Sequence, residues 1–244
     1  MQTVKKTVIP QCDHDFEILT TECDDGRTIW KTFKCKKCKA SFAKKFVKTV
    51  NYPELERFKR YVEKPFMITH SNKEVREQAI SVMREFFNGN KNKTGLVFHD
   101  KRGTGKTHLA VKLLMAAKRQ KLKSIYALNF STFIYDKMKE MNLSKSDYYN
   151  QYNPPQAELM QEEALRADVL LLDEVGKHKN SDWVNGLLYT FIDHFYMNED
   201  KFLIITTNIK AQDLEKELDP AIASRLYEMC EFVNFNHIED MRKF

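Results

Sequence analysis

Six consecutive residues, Gly103-Thr104-Gly105-Lys106-Thr107-His108, have the types and order needed to hold a phosphate. The two glycines let the backbone bend closely round an anion with its N–H groups turned inward. Lys106 supplies a charge for the terminal phosphates, and Thr107 a hydroxyl for Mg²⁺. Further on, the apolar run Asp168-Val169-Leu170-Leu171-Leu172 ends in Asp173-Glu174. That pair suits a phosphate site: the aspartate holds Mg²⁺ and the glutamate orients and deprotonates an attacking water. A separate set stands near the start, Cys12-Asp13-His14 and Cys35-Lys36-Lys37-Cys38. Three thiolates and one imidazole make a closed tetrahedral zinc site.

The elements around these residues have to place them. An apolar run, Gly95–Phe98, leads into the glycine loop, and a helical pattern from Leu109 to Met115 follows. Strand, loop and helix in that order are what a P-loop requires, and the helix N-terminus adds partial positive charge. The full pattern is Gly-x-x-x-x-Gly-Lys-Thr, and its first glycine is replaced by Asp100. A carboxylate beside a triphosphate is unfavourable, but aspartate tolerates a left-handed backbone. The expectation is a variant P-loop of weakened affinity. Further strands are expected at Ser124–Leu128, Asp168–Leu172, Phe202–Thr207 and Met229–Phe235. Helices are expected at Ser131–Met141, at 183–196 and at 219–226. Ser71-Asn72-Lys73-Glu74 reads as a capping box opening a helix that ends at Gly89. Asn208 stands at a strand end where a polar side chain would sense the γ-phosphate. Arg225 is placed to reach a neighbouring protomer's nucleotide, although a surface salt bridge is the commoner fate of an arginine.

The 244 residues suit one medium domain plus a small one, and 42% hydrophobic content supports a core. The division expected is a zinc-binding head over 1–50, a linker over 51–69 and a nucleotide domain over 70–244. In the head, Asp24-Asp25-Gly26 would turn a hairpin that joins the two cysteine pairs. Cys23 is a rival fourth ligand, and a redox pair of Cys35 with Cys38 is the metal-free alternative. Eleven Lys and Arg face six Asp and Glu in residues 1–50, most of the net +6. That charge, and the tyrosines of 142–156 (Tyr148, Tyr149, Tyr152), suit single-stranded DNA. A solvated ribbon that docks on a protein and a plain exposed loop are the competing readings. No apolar run approaches the roughly 20 residues of a membrane span, and no secretory signal is visible. A cytoplasmic protein is expected, its cysteines being metal ligands or buried thiols, Cys230 among the latter.

Gly103-Thr104-Gly105-Lys106-Thr107-His108-Leu109-Ala110, Leu171-Leu172-Asp173-Glu174, Thr206-Thr207-Asn208 and Ser224-Arg225-Leu226 together resemble the DnaC/DnaI family of replicative helicase loaders. These are AAA+ ATPases related to the initiator DnaA and the transposition helper IstB, and the likeness covers about 70–244. The resemblance implies an α/β fold: a P-loop AAA+ parallel sheet flanked by helices, with a small N-terminal zinc-ribbon-like β module and no helical lid. It implies ATP, Mg²⁺ and Zn²⁺ as cofactors. Arg102, Gly103, Thr104, Gly105, Lys106, Thr107 and His108 would bind the nucleotide, and Thr107 and Asp173 the magnesium. Lys106, Asp173, Glu174, Asn208 (sensor 1) and Arg225 (the finger in trans) would be catalytic, with Arg242 a terminal sensor. The family pattern has Gly at Asp100 and commonly Pro at Arg102. Its implied work is ATP-dependent loading of a hexameric DnaB-type helicase onto single-stranded DNA. That would need self-association through AAA+ interfaces and a head that grips the helicase. An IstB-like transposition ATPase and a non-hydrolysing adaptor with a degenerate nucleotide site are the rivals.

Overall fold

A computed structural model describes the backbone of 16–22, 28–35, 41–47, 53–119, 124–141, 156–178 and 181–241, with side chains from Leu55 onward in those ranges. The chain divides into two compact units, Met1–Tyr52 and Pro53–Phe244.

The first unit holds an antiparallel sheet of β1 (Phe16–Glu22), β2 (Thr28–Cys35) and β3 (Ser41–Val47), in that order. Phe16 lies opposite Cys35, so β1 begins at the end of the sheet where β2 finishes. The third strand is missing from the sequence reading, because Lys44 breaks the apolar alternation of Phe42 and Phe46 in the sequence. Cys12, His14, Cys23 and Cys38 lie outside the described residues, as does the side chain of Cys35.

The second unit starts where the sequence places a linker carrying a short helical stretch from Tyr52 through Val62, interrupted by Pro65. Pro53–Phe58 forms a 3-10 turn running into α1 (Lys59–Glu63). Leu55 is fully buried and Phe58 almost so. Two apolar side chains three residues apart are enough to pin a single turn. The next helix, α2 (His70–Phe87), also starts earlier than expected. Thr69 is its N-cap: its hydroxyl accepts from the Asn72 N–H at 3.3 Å, and Asn72 Oδ1 accepts from the Thr69 N–H at 2.9 Å. Ser71 and Glu74 therefore sit inside the helix, and the reciprocal pair that closes the box uses an amide in place of a glutamate.

Five parallel strands form the main sheet: β4 (Gly95–His99), β5 (Ile125–Asn129), β6 (Val169–Val175), β7 (Phe202–Thr207) and β8 (Cys230–Asn234). Their order is β5-β6-β7-β4-β8. Leu96–Phe98, Val169–Leu172 and Phe202–Ile205 are buried without alternation, as strands covered on both faces must be. The helices α3 (Lys106–Arg119), α4 (Phe130–Met141), α5 (Gln156–Arg166), α6 (Asp182–Tyr196) and α8 (Pro220–Met229) flank the sheet, and a single turn, α7 (Leu214–Glu217), precedes α8. Phe133 meets Phe191 edge to face at 5.5 Å, joining α4 to α6. After β8, the described residues to Met241 form turns and no further helical domain. The parallel sheet, flanking helices and strand–loop–helix at Lys106 are the P-loop AAA+ fold that the sequence implies.

Candidate nucleotide site

β4 sits between β7 and β8, and its C-terminal end opens into the glycine loop. In open parallel sheets this end, where neighbouring connections part, is where ligands bind. Asp100 makes the first bend with φ 80°, followed by Gly103 at 81° and Gly105 at 88°. Asp100 thus adopts the left-handed turn that its missing glycine would have supplied. A Cβ on Gly103 would lie 2.4 Å from Asp240 Oδ1, so the chain after β8 closes down on the loop. Met241 N–H donates to the Gly103 carbonyl at 2.9 Å.

Lys106 opens α3 and points back along the loop. Its Nζ donates to the carbonyls of Asp100 (2.7 Å) and Lys101 (2.6 Å) and to Asn208 Oδ1 (3.1 Å). Burial, the largest cause, lowers its pKa to about 8. The carboxylates of Asp100 and Asp173 oppose this shift, and the charge of Arg102 adds to it. Three strand ends meet beside it. Asp173, 3% exposed at the end of β6, accepts from Thr107 Oγ1 at 2.7 Å, Thr206 Oγ1 at 2.6 Å and Asn129 Nδ2 at 3.3 Å. Burial raises the Asp173 pKa, and the Thr206 and Thr107 hydroxyls hold it back.

Glu174 is set by an irregularity. The β6–β7 register shifts between Leu172 and Val175, and Glu174 takes φ 61° with its N–H on Thr206 Oγ1 at 3.0 Å. Such a bulge turns a side chain out of the alternation of its strand. Glu174 Oε2 accepts from Asn129 Nδ2 at 3.2 Å and from Lys177 Nζ at 3.1 Å. Burial pushes its pKa up, but those bonds and the charges of Lys177 and Arg60 outweigh it, so the carboxyl stays below the ordinary range. The group is a carboxylate held between two donors.

Together these groups line a cleft of about 620 Å³. Every residue from Arg102 to His108 faces it, with Glu174 and Asn208; Asp173 lies just beneath, bonded to Thr107. Arg60, Tyr61 and Lys64 wall the cleft from α1 and the residue after it. The His108 ring lies 5.5 Å from Tyr61 and 5.3 Å, edge-on, from Phe66, and its Nε2 donates to the Lys64 carbonyl at 3.1 Å.

The arginine expected to serve a neighbouring protomer's nucleotide lies away from this cleft. Arg225, on α8, is held by its own protomer. Nε meets Asp193 Oδ1 at 3.0 Å and a terminal nitrogen donates to Tyr189 Oη at 2.7 Å, both on α6. The guanidinium also lies over the Tyr189 ring at 4.8 Å. Within the protomer its partners are thus a carboxylate and two aromatic rings of α6. Arg242 and the tyrosine segment lie outside the described residues. Asn129 and Lys177 are participants that the sequence reading passed over, and Thr206 is named there only as part of the Thr206-Thr207-Asn208 strand end. Asn129 carries one usable signal: it ends β5 in register with Asp173. No group of three or more His, Cys, Asp and Glu comes together to hold a metal among the described residues.

The profile of the family described as IstB-like ATP binding protein matches residues 43–243. The chain belongs to that family. Membership makes it an ATP-binding AAA+ protein. The phage-like element PBSX protein XkdC of Bacillus subtilis (strain 168) is 29% identical over 133 residues, which is 52% of this chain and 44% of that protein. The match therefore spans less than half the length of that curated relative. Among solved structures, the DnaC helicase loader is 25% identical at a TM-score of 0.52, covering 74% of this chain and 99% of that one. DnaI aligns at a TM-score of 0.54 with 18% identity, over 72% and 93% of the two chains, and shares the fold. No helix among the described residues is long and apolar enough to cross a membrane.

Proposed function

We propose that this chain hydrolyses ATP and uses the cycle to place a hexameric replicative helicase on single-stranded DNA. The observation that carries the ATPase reading is the convergence of Lys106, Thr107, Asp173, Glu174 and Asn208 on one cleft at the ends of β4, β6 and β7. The loader reading is supported by the likeness to the DnaC helicase loader over nearly all of that chain.

In this reading the N–H groups of the glycine loop and the N-terminus of α3 hold the phosphates. Lys106 leaves its carbonyl partners for the β- and γ-phosphates. Thr107 and Asp173 would hold Mg²⁺. Their oxygens are 2.7 Å apart at the cleft floor, and a hydroxyl with one carboxylate suits a hard ion that takes its other ligands from phosphate and water. When bound, that ion neutralises charge on the phosphates. Glu174 takes the proton of the attacking water once Asn129 and Lys177 release it, and Asn208 contacts the γ-phosphate. The zinc head would be the grip on the helicase. The Phe16–Cys35 pairing supports the zinc site of that head, because β1 begins and β2 finishes at the same end of the small sheet.

The test is ATP turnover by the full chain with and without single-stranded DNA, beside Glu174→Gln. The expected outcome is DNA-stimulated turnover that Glu174→Gln loses while still binding nucleotide. Intact folding with no nucleotide bound would leave the adaptor reading. Family membership favours a second reading, an IstB-like transposition ATPase. Capture of a transposase rather than a hexameric helicase by the purified chain would select it.

A further inference from the structure

The reciprocal cap of α2 uses the backbone N–H and the side-chain oxygen of Asn72, and leaves its amide nitrogen over. Asn72 is fully buried, and a buried amide N–H left without a partner is costly. Its Nδ2 donates to the Met67 carbonyl at 2.9 Å and, more weakly, to Met241 Sδ at 3.8 Å. Those two partners belong to the two pieces of chain that cover the glycine loop. Met67 follows Phe66, and a Cβ on Gly105 would lie 3.5 Å from Phe66 Cε2 and 3.6 Å from Met241 Cγ. Beside them, Met241 N–H holds the Gly103 carbonyl at 2.9 Å and the Asp240 carboxylate packs on Gly103. Phe235 and Ile238, both fully buried, anchor the chain that brings Met241 there. Phe66 also meets the His108 ring edge-on at 5.3 Å. Asn72 does not itself line the cleft. It joins the covers that lie over both left-handed glycines of the loop, Gly103 and Gly105.

We propose that Asn72 is a positioning residue for the phosphate loop. Its amide clamps the Phe66–Met67 segment and the chain at Met241 over Gly103 and Gly105, so that the loop's N–H groups keep the arrangement that receives phosphate. This rests on reading the Lys106 cleft as the nucleotide site, and adds what keeps that site formed before nucleotide arrives. Gly103 and Gly105 sit at φ 81° and 88°, and glycine reaches many other conformations as readily. A loop built on them holds one shape only where contacts from outside fix it. Without the clamp, affinity falls by the fraction of time the loop spends in its competent form. The acids stand apart from this clamp. Asp173 and Glu174 are held by Thr107, Thr206, Asn129 and Lys177, so the turnover of nucleotide already bound does not depend on Asn72.

Variants of the full chain separate the clamp from the cap. Asn72→Asp keeps an oxygen for the Thr69 N–H and loses the amide donor, and Asn72→Ala loses both. Thr69→Ala does the reverse: it removes the hydroxyl of the cap and keeps the amide. Binding of a fluorescent ATP analogue and of ADP is measured well below each melting temperature. Hydrogen exchange of the 101–108 backbone is followed in the nucleotide-free chain. Both Asn72 variants should weaken the two nucleotides alike, about tenfold if the competent loop falls to about a tenth of the population. Their kcat should stay within about twofold of the parent, and loop exchange should speed up. Thr69→Ala should lower the melting temperature with loop exchange and affinity as in the parent. Met241→Ala removes the far partner and leaves the cap alone. Because Met241 lines the cleft, only its loop exchange is read, and faster exchange there decides the matter if the Asn72 variants do not fold. Loop exchange at the parent's rate in these variants, or binding weakened no more by Asn72→Asp and Asn72→Ala than by Thr69→Ala, overturns the proposal and leaves the cleft reading standing. An unchanged chain that binds no nucleotide, or binds it no better than Lys106→Ala, overturns that reading and the proposal with it.

Discussion

Asp100 shows what a single side chain does to this site. It holds φ 80° where the loop needs a glycine, and a left-handed L-residue costs of order 1 kcal/mol. Asp100→Gly is therefore expected to raise unfolding free energy by about 0.5–1 kcal/mol, read from urea melts. It should also tighten ATP binding at pH 7, because a carboxylate leaves the phosphate site. Unchanged affinity would show that this side chain is turned away from the phosphates. Lys106 carries a pH signature. With its pKa near 8 in the empty cleft, it is charged at pH 7 and loses its proton as pH rises through 8. Phosphate contact favours the ammonium and raises that pKa, so binding takes up a proton in the window above 8 and affinity falls there. At pH 8.5, calorimetry in two buffers of different ionisation heat should show net proton uptake on nucleotide binding that is lost at pH 7. Both residues are legible in the sequence as departures from or matches to a motif. The retraction of Lys106 onto two carbonyls is not, since it depends on where the loop's own oxygens lie.

Between elements, the same comparison divides by sequence distance. The strand, loop and helix at Gly95–Arg119 form one contiguous pattern and appear where the sequence places them. The cap of α2 and the burial of Leu55 and Phe58 depend on partners that the local pattern does not name. The helix α5 is absent from the reading because its inward face is Ala157, Met160 and Ala164, too weakly apolar to show a period. Asn129 belongs to this scale as well, since it links β5 to both acids of β6. Asn129→Ala removes a donor from Glu174, so its carboxyl pKa should move up and the acid limb of the pH–rate profile should shift to higher pH. A profile that keeps its acid limb would mean that Glu174 is not the titrating base. Arg225 joins α6 to α8 with a bonded ion pair and a phenol hydrogen bond, at partial exposure. Arg225→Ala is expected to cost about 1–2 kcal/mol in urea melts, screening by water holding it to the lower end for a charged hydrogen bond. A melt unchanged from the parent would show that the tether contributes nothing to the fold.

At the scale of the whole chain, the boundary between its parts moves. Pro53 and Pro65 bracket a stretch that composition presents as a linker, yet the residues between them belong to the ATP-binding unit, which begins at Pro53. Leu55 and Phe58 face inward while Arg60, Tyr61 and Lys64 wall the cleft, so one segment serves both the core and the site. A linker would tolerate change at every one of these positions. The segment as built should not. In the full chain, Phe58→Ala is expected to cost about 3 kcal/mol or more, the range for truncating a buried phenylalanine. Because that segment carries the cleft wall, the loss should reach the nucleotide: ATP affinity should fall although Phe58 does not line the cleft. Saturating ATP should then recover part of the lost melting temperature, since a ligand that binds only the folded form stabilises it by mass action. Tyr61→Ala, which changes the wall and leaves Leu55 and Phe58 in place, should weaken binding with a smaller change in the melt. If Phe58→Ala melts and binds as the parent does, the segment acts as a tether and the unit begins at α2.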